Sequence, residues 1–85
     1  MVVIDNPDAN RFEVHEEGEI AVLDYERRGR TIVFTHTLVP ESLRGRGIAT
    51  ELARAGLESA RKEGLAIVAQ CPVVREYLRK HQDAI

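Results

Sequence analysis

The first half of the chain contains three segments in which apolar and polar residues alternate with the two-residue period of a half-buried strand. They cover residues 11–16, 19–26 and about 31–39. Glu17-Gly18 and residues 27–30 separate them and have the composition of hairpin turns. The middle segment is apolar on both faces, which predicts a central strand in an antiparallel sheet.

In the second half the pattern changes to the helical period. Residues 44–63 carry one broad apolar arc with charged residues opposite, and residues 65–69 are a short, wholly apolar run. Pro72 suits the first position of a final helix, which we expect to reach about His81. A strand, a helix and a second strand in this order predict a parallel strand pair formed by a right-handed crossover.

These elements predict an α+β (mixed α/β) fold with the order β-β-β-α-β-α: three antiparallel strands, one parallel strand and two helices. Gly56 lies in mid-helix, where glycine costs about 1 kcal/mol relative to alanine, and a close approach to the sheet would account for it. Residues 1–10 contain the turn signal Asn6-Pro7-Asp8 and are expected to form a loose lead-in. We expect one domain over residues 1–85, with a structured core at about 10–82.

Composition narrows the class of protein. The net charge of -2 gives no reason to expect nucleic-acid binding, but residues 1–30 have a balance of -4 and residues 31–85 a balance of +2, so an anionic ligand would prefer the second part. A single cysteine excludes an internal disulfide. No long apolar segment or basic leader is visible, and we expect a cytoplasmic protein without a membrane span. No metal site is predicted.

The stretch from Arg44 to Thr50 predicts an anion-binding corner. Gly45 and Gly47 allow the backbone to turn sharply with its N–H groups uncovered, and the helix that follows adds unpaired N–H groups and the positive end of its dipole. Arg44 and Arg46 add fixed positive charge suited to phosphate oxygens. The alternative is a helix entry that needs glycine only to turn.

Three side chains are candidates for chemistry, each with a structural alternative. Alternation places His36 on the same side as Phe34, so it is either a core histidine or a group beside the anion corner. Cys71 precedes the final helix, where the dipole favours a thiolate, and it is either a nucleophile or a small buried residue. Tyr77 is either a proton donor or a packing residue of that helix.

At this point the residues resemble a known signature. Val39 and Arg44-Gly45-Arg46-Gly47-Ile48-Ala49 are similar to the acyl-CoA binding motif V-x-x-x-x-[QR]-G-x-G-[IL]-[GA] of the GNAT acetyltransferase superfamily. Residues 36–40 and 71–81 look like its short, single-domain branch. The resemblance implies a minimal GNAT-like fold and a cofactor, acetyl-CoA or coenzyme A, bound by these residues: Leu38, Val39, Arg44, Gly45, Arg46, Gly47, Ile48, Ala49 and Thr50.

The resemblance also implies how the cofactor lies. Backbone N–H groups of the loop would hold the pyrophosphate, the preceding strand would follow the pantetheine arm, and the thioester would reach the gap between the two parallel strands. Three departures stand out. Ala49 replaces a frequent glycine, the N-terminal helices that shape the acceptor pocket are missing, and Tyr77 lies six residues after Cys71 where the family's tyrosine lies seven after.

The sequence therefore predicts an acetyl-CoA-dependent N-acetyltransferase whose amine acceptor is unknown. Either His36 takes the amine proton in a direct transfer, or Cys71 is acetylated first and passes the group on. The alternatives are a non-catalytic CoA-binding module and a protein-interaction module. We expect a monomer or weak homodimer that binds no nucleic acid and no membrane.

Overall fold

The computed structural model describes residues 1–81, in which one sheet packs against two helices. The strands are β1 (Ile4–Asn6), β2 (Arg11–Glu16), β3 (Glu19–Arg28), β4 (Thr31–Leu38) and β5 (Ala66–Ala69), and the α-helices are α1 (Ile48–Lys62) and α2 (Pro72–Lys80). Two short 3-10 helices cover Pro7–Ala9 and Glu41–Leu43. Neither described α-helix is long and apolar enough to cross a bilayer.

The sheet runs in the order β1-β2-β3-β4-β5, with β3 at its centre. The first four strands pair antiparallel along the chain, and β5 pairs parallel to β4 from Thr31↔Ala66 to Phe34↔Ala69. The α+β class and the parallel pair formed by the strand-helix-strand unit are thus confirmed. The sheet has one strand more than predicted, because residues 4–6 of the expected loose lead-in pair with β2.

The beginning of α1 was predicted too early. Residues 44–47 are not helical, since Gly45 and Gly47 have φ angles of 82° and 77° that no right-handed helix contains. The helix begins at Ile48, with Gly47 as its N-cap. The far end of the expected core, Gln82, lies outside the described residues, whereas Lys80 ends α2 almost where the sequence predicted.

Both helices pack on the same face of the sheet. Phe12, Leu23 and Phe34 from the strands form one buried cluster with Leu52 of α1 and Val74 of α2. Burying an aliphatic or aromatic side chain of this size contributes about 1.5–3 kcal/mol, so this single layer supplies most of the stability. Within residues 1–81 no helix covers the other side of the sheet, which we call the open face.

A β-bulge in β4 changes which side chains reach each face. Tyr25 pairs with Phe34, but Asp24 pairs with His36, so Thr35 is an extra residue on β4. Directly opposite residues of an antiparallel pair share a face. Beyond the bulge, Thr37 therefore lies on the helix side with its partner Leu23, and His36 lies on the open face with Asp24.

Gly56 of α1 lies directly against the sheet, as expected from its position in mid-helix. A Cβ atom at this residue would come within 2.9 Å of Phe34 Cε1 and 3.1 Å of Leu23 Cδ2. Both neighbours are fully buried, so they have little room to move. The absent side chain is what allows α1 to approach the sheet this closely.

We therefore expect Gly56→Ala to destabilise the protein by about 1 kcal/mol, because overpacking of about 1–3 kcal/mol exceeds a helix-propensity gain of about 1 kcal/mol. The measurement is urea unfolding followed by circular dichroism. Ala55→Gly, at the neighbouring half-buried position, is the control and should cost about 1 kcal/mol through propensity alone. A Gly56→Ala variant more stable than the parent would contradict the close approach.

Candidate active site

The loop between β4 and α1 leaves its backbone N–H groups exposed. Pro40 ends the strand, the short helix Glu41–Leu43 turns the chain, and residues 44–47 then pass into α1. Gly45 and Gly47 occupy the left-handed region, where a Cβ atom would be strained. No side chain caps the N-terminus of α1, so the residues that usually satisfy a helix start are missing here.

The N–H groups of six consecutive residues, 45 to 50, have no hydrogen-bond acceptor among residues 1–81. The last bonded N–H before them belongs to Arg44, which donates to Glu41 O at 3.2 Å, and the next belongs to Glu51, which donates to Gly47 O at 3.1 Å. Unpaired N–H groups at a helix start attract anions, and phosphate above all. The loop therefore has the donors for a phosphate or diphosphate group.

A cavity of about 130 Å³ opens beside these N–H groups. Seven of the nine predicted cofactor-binding residues line it; together with Leu43 the lining is Val39, Arg44, Gly45, Gly47, Ile48, Ala49 and Thr50. Arg46 and Leu38 are outside it. The side chain of Leu38 lies on the open face and is 52% exposed. Its backbone belongs to the edge of β4 that leads to the loop.

The two arginines of the loop are bonded to the protein itself. Arg44 Nε donates to Val39 O at 3.3 Å. Arg46 pairs with Glu17 of the β2–β3 turn and also donates to Ser42 O at 3.4 Å. Exposed ion pairs contribute about 0–1 kcal/mol, so exchange of Glu17 for a phosphate at Arg46 costs little.

A larger groove, about 440 Å³, separates the start of α1 from α2. Thr50 borders both this groove and the loop cavity, which makes the two spaces neighbours. Tyr77 lines the groove and stacks on His81, with ring centroids 4.1 Å apart and an interplanar angle of 18°. The remaining lining residues are Pro72, Val73, Glu76 and Lys80. Tyr77 therefore lies beside the predicted cofactor path.

The pairing of β4 with β5 stops abruptly. Phe34 O accepts hydrogen bonds from Gln70 N at 2.9 Å and from Cys71 N at 3.0 Å, after which the chain turns into α2. The segment of β4 from Thr35 to Leu38 then has β3 on one side and, within residues 1–81, no strand on the other. The parallel pairing thus ends at Phe34, and we call this end of the pairing, between the free edge of β4 and the start of α2, the gap.

Cys71 lies at this gap, on the helix side of the sheet. It is the N-cap of α2, is only 1% exposed, and its Sγ lies 2.9 Å from Thr37 Oγ1. Sequence reasoning did not select Thr37, because simple alternation along β4 assigned it to the other face. The bulge at Thr35 is what brings its hydroxyl to the cysteine.

His36 lies at the same gap but on the opposite face. The expectation that it shares a side with Phe34 is wrong, because the extra residue Thr35 reverses the alternation between them. Its side chain is exposed beside its cross-strand partner Asp24. The structure therefore brings Cys71 and His36 to one gap from the two sides of the sheet, and it does not bring their side chains together.

A buried carboxylate, that of Glu13, holds three polar side chains on the open face by hydrogen bonds. Glu13 is 5% exposed and accepts hydrogen bonds from Arg11 Nε at 2.6 Å and Asn6 Nδ2 at 3.0 Å, and its Oε1 lies 2.8 Å from His15 Nε2. These bonds, with that from His15 the largest contributor, lower the pKa of Glu13 to about 2. The sequence pattern had placed this strand face in water and gave no sign of the cluster.

The comparisons with known proteins agree with this geometry. A sequence model of the family described as GCN5-related N-acetyl-transferase matches residues 11–84. Protein NATD1 of Homo sapiens is 42% identical over 62 residues, which is 72% of this chain and 55% of that protein. Protein NATD1 of Gallus gallus is also 42% identical, and that of Danio rerio 37%, each over 62 residues and 56% of its length. The chain thus spans about half the length of the curated relatives that it matches.

The Glu13 cluster predicts a specific pH dependence. The pKa of Glu13 is about 2 in the folded protein against an ordinary value of 4.5, so its stabilising contribution is complete above about pH 4.5 and is lost as the pH falls toward 2. Glu13→Gln should lower stability at pH 7 and flatten the fall over that window, measured by urea unfolding at several pH values. Glu26→Gln, on the same face but exposed, is the control. An unchanged slope in Glu13→Gln would exclude this role.

Proposed function

Because the chain belongs to the GCN5-related N-acetyltransferase family, we propose that it is an acetyl-CoA-dependent N-acetyltransferase that acetylates an amine. The observation that supports this most directly is the run of unbonded N–H groups at residues 45–50. A diphosphate offers several acceptor oxygens to such a run and compensates for its positive partial charge. Residues 48–50 form the first turn of α1, where every helix leaves N–H groups without an intrahelical partner, and the glycine loop adds the N–H groups of residues 45–47 beside them.

The residues present fit the cofactor. The N–H groups of the loop would hold the pyrophosphate, with Arg44 and Arg46 turning from their present partners toward its oxygens. Val39, Leu43 and Ile48 give the cavity an apolar wall. The free edge of β4 from Thr35 to Leu38 offers backbone donors and acceptors to the amides of the pantetheine arm, as a neighbouring strand would use them.

Acetyl-CoA supplies an acetyl group already activated as a thioester. In the proposed reaction, His36 takes the proton that the amine nitrogen loses as it bonds to the acetyl carbon. Tyr77 gives its proton to the sulfur as the carbon–sulfur bond breaks, and both groups exchange protons with solvent before the next turnover. The position of His36 on the open face and of Tyr77 in the groove between α1 and α2 supports this division, because the two groups lie on opposite sides of the sheet.

We propose that the transfer is direct. The thiol of Cys71 is 1% exposed and lies against Thr37 Oγ1, so it packs as a small buried group beneath the gap. A nucleophile needs access to the carbon that it attacks, and Cys71 would have to leave this position to gain it. In this proposal Cys71 and Thr37 shape the bottom of the gap.

The loop proposal predicts the behaviour of Gly47→Val. A β-branched residue at a φ of 77° is strained and projects a side chain where the anion must approach. We expect CoA affinity to fall at least roughly tenfold by calorimetry, an effect of about 1.4 kcal/mol or more, with the fold retained by circular dichroism. Gly29→Val is the matched control, since Gly29 has a φ of 61° and open space in the β3–β4 turn; equal losses in both variants would place the phosphate site elsewhere.

Direct transfer predicts that acetyl-CoA alone leaves the protein unmodified. Incubation without acceptor should give no stoichiometric burst of free CoA and no acetyl adduct on Cys71 by mass spectrometry, whereas a two-step mechanism requires both. Cys71→Ala should retain CoA binding and activity within a few-fold, apart from the modest loss of stability expected for a smaller buried residue. An adduct that disappears in Cys71→Ala would establish the two-step mechanism instead.

A further inference from the structure

The open face carries an uncompensated carboxylate beside the gap. Asp24 is half-buried at the centre of the sheet, between Arg11 on β2 and His36 on β4 in register. Although Arg11 is its neighbour, Asp24 makes no ion pair with any group in residues 1–81. Glu13 is the reason, because the Arg11 guanidinium is directed to Glu13 at 2.6 Å.

Charge complementarity therefore points to a cation at Asp24. The Arg11–Glu13 pair has no net charge. Because the pKa of Glu13 is low, its carboxylate is ionised near neutral pH and continues to accept the hydrogen bonds of the donors around it. Asp24, in contrast to Glu13, has no basic side chain paired with it in residues 1–81, so its carboxylate is the uncompensated charge on this part of the face. An alkylammonium group is positive there, since the pKa of a primary amine lies near that of lysine, about 10.4.

An apolar strip continues from this carboxylate along the same face. Leu38 is the cross-strand partner of Val22, next to the Asp24–His36 pair, and Ile20 lies two residues farther along β3. Leu38 is 52% and Ile20 41% exposed although both are large and apolar. Exposed apolar side chains grouped on one face mark a surface that binds an apolar group.

The carboxylate and the strip meet at the point of transfer. His36 follows the bulge residue Thr35 and comes two residues after Phe34, the last residue of β4 that pairs with β5, so it lies where the gap begins. An amine held between Asp24 and His36 reaches the gap from the face opposite the phosphate loop. Its apolar body would then lie over Val22 and Leu38 on the open face.

We propose that Asp24, His36 and the strip of Ile20, Val22 and Leu38 form the acceptor site, and that the acceptor is a primary amine carried on an apolar chain without a nearby negative charge. This rests on the proposed acetyl transfer, to which it adds the class of the acceptor. Asp24 binds the ammonium form. The nitrogen releases one proton to solvent before it attacks, and His36 receives the second proton as the nitrogen bonds to the acetyl carbon. An amine that carries a carboxylate beside its nitrogen is repelled by Asp24.

The test uses three probes of equal chain length: hexylamine, 1-hexanol and hexanoate. Each is titrated into the ¹⁵N-labelled protein while the backbone amide signals are followed by NMR. We expect hexylamine to shift the signals of Asp24, His36 and Leu38, with hexanol and hexanoate binding at least about fivefold more weakly. Asp24→Asn should weaken hexylamine about fivefold, the equivalent of roughly 1 kcal/mol for one charge pair, and leave hexanol unaffected.

Glu26→Gln is the matched control, because Glu26 is an exposed carboxylate on the same face whose partner is Arg28; it should leave hexylamine affinity unchanged. Equal affinity for hexylamine and hexanol, an equal effect of both variants, or shifts confined to the groove between α1 and α2 would each overturn the proposal. A parallel titration with CoA keeps the two proposals apart. Loss of CoA binding would count against the acetyltransferase reaction, whereas intact CoA binding without amine selectivity would count against the acceptor site alone.

Discussion

The two hydrogen bonds that Phe34 O accepts are the constraint from which the rest of the site follows. Because this carbonyl accepts hydrogen bonds from both Gln70 N and Cys71 N, the chain leaves β5 and turns into α2 at this point. The remaining part of β4 is left with a free edge. A free strand edge carries unpaired N–H and C=O groups, and a peptide-like arm of a bound molecule can pair with them.

Because of the bulge at Thr35, the two sides of this gap carry different side chains. The helices cover one face, so the loop and the groove at Tyr77 are reached from that side. His36 and Asp24 are reached only from the other side. In the proposed reaction, acetyl-CoA and the amine would therefore approach the gap from opposite faces of the sheet.

Much of this could be predicted from the sequence because the determinants are local. Glycine spacing and the change of hydrophobic period are visible in the residues, and they correctly predicted the sharp turn at Gly45 and Gly47, the parallel strand pair and the approach of Gly56 to the sheet. The face of His36 could not be predicted, since a bulge leaves the alternating pattern from Thr31 to Leu38 intact while it reverses the side chains. Glu13 was missed for a related reason: burial by three polar partners leaves a sequence pattern like that of exposure.

The loop owes its suitability for a ligand to the residues that flank it. Leu43 and Ile48, on either side of residues 44–47, are almost completely buried in the core. Because these two anchors are close together, the backbone of residues 44–47 can adopt few conformations. Glycine can adopt the ones that this short connection requires. The entropic cost of arranging the N–H groups is therefore met during folding, before a ligand arrives. Leu43 and Ile48 also join the loop to the core against which α1 packs, so the close contact at Gly56 that positions this helix also sets the distance from the loop to the free edge of β4.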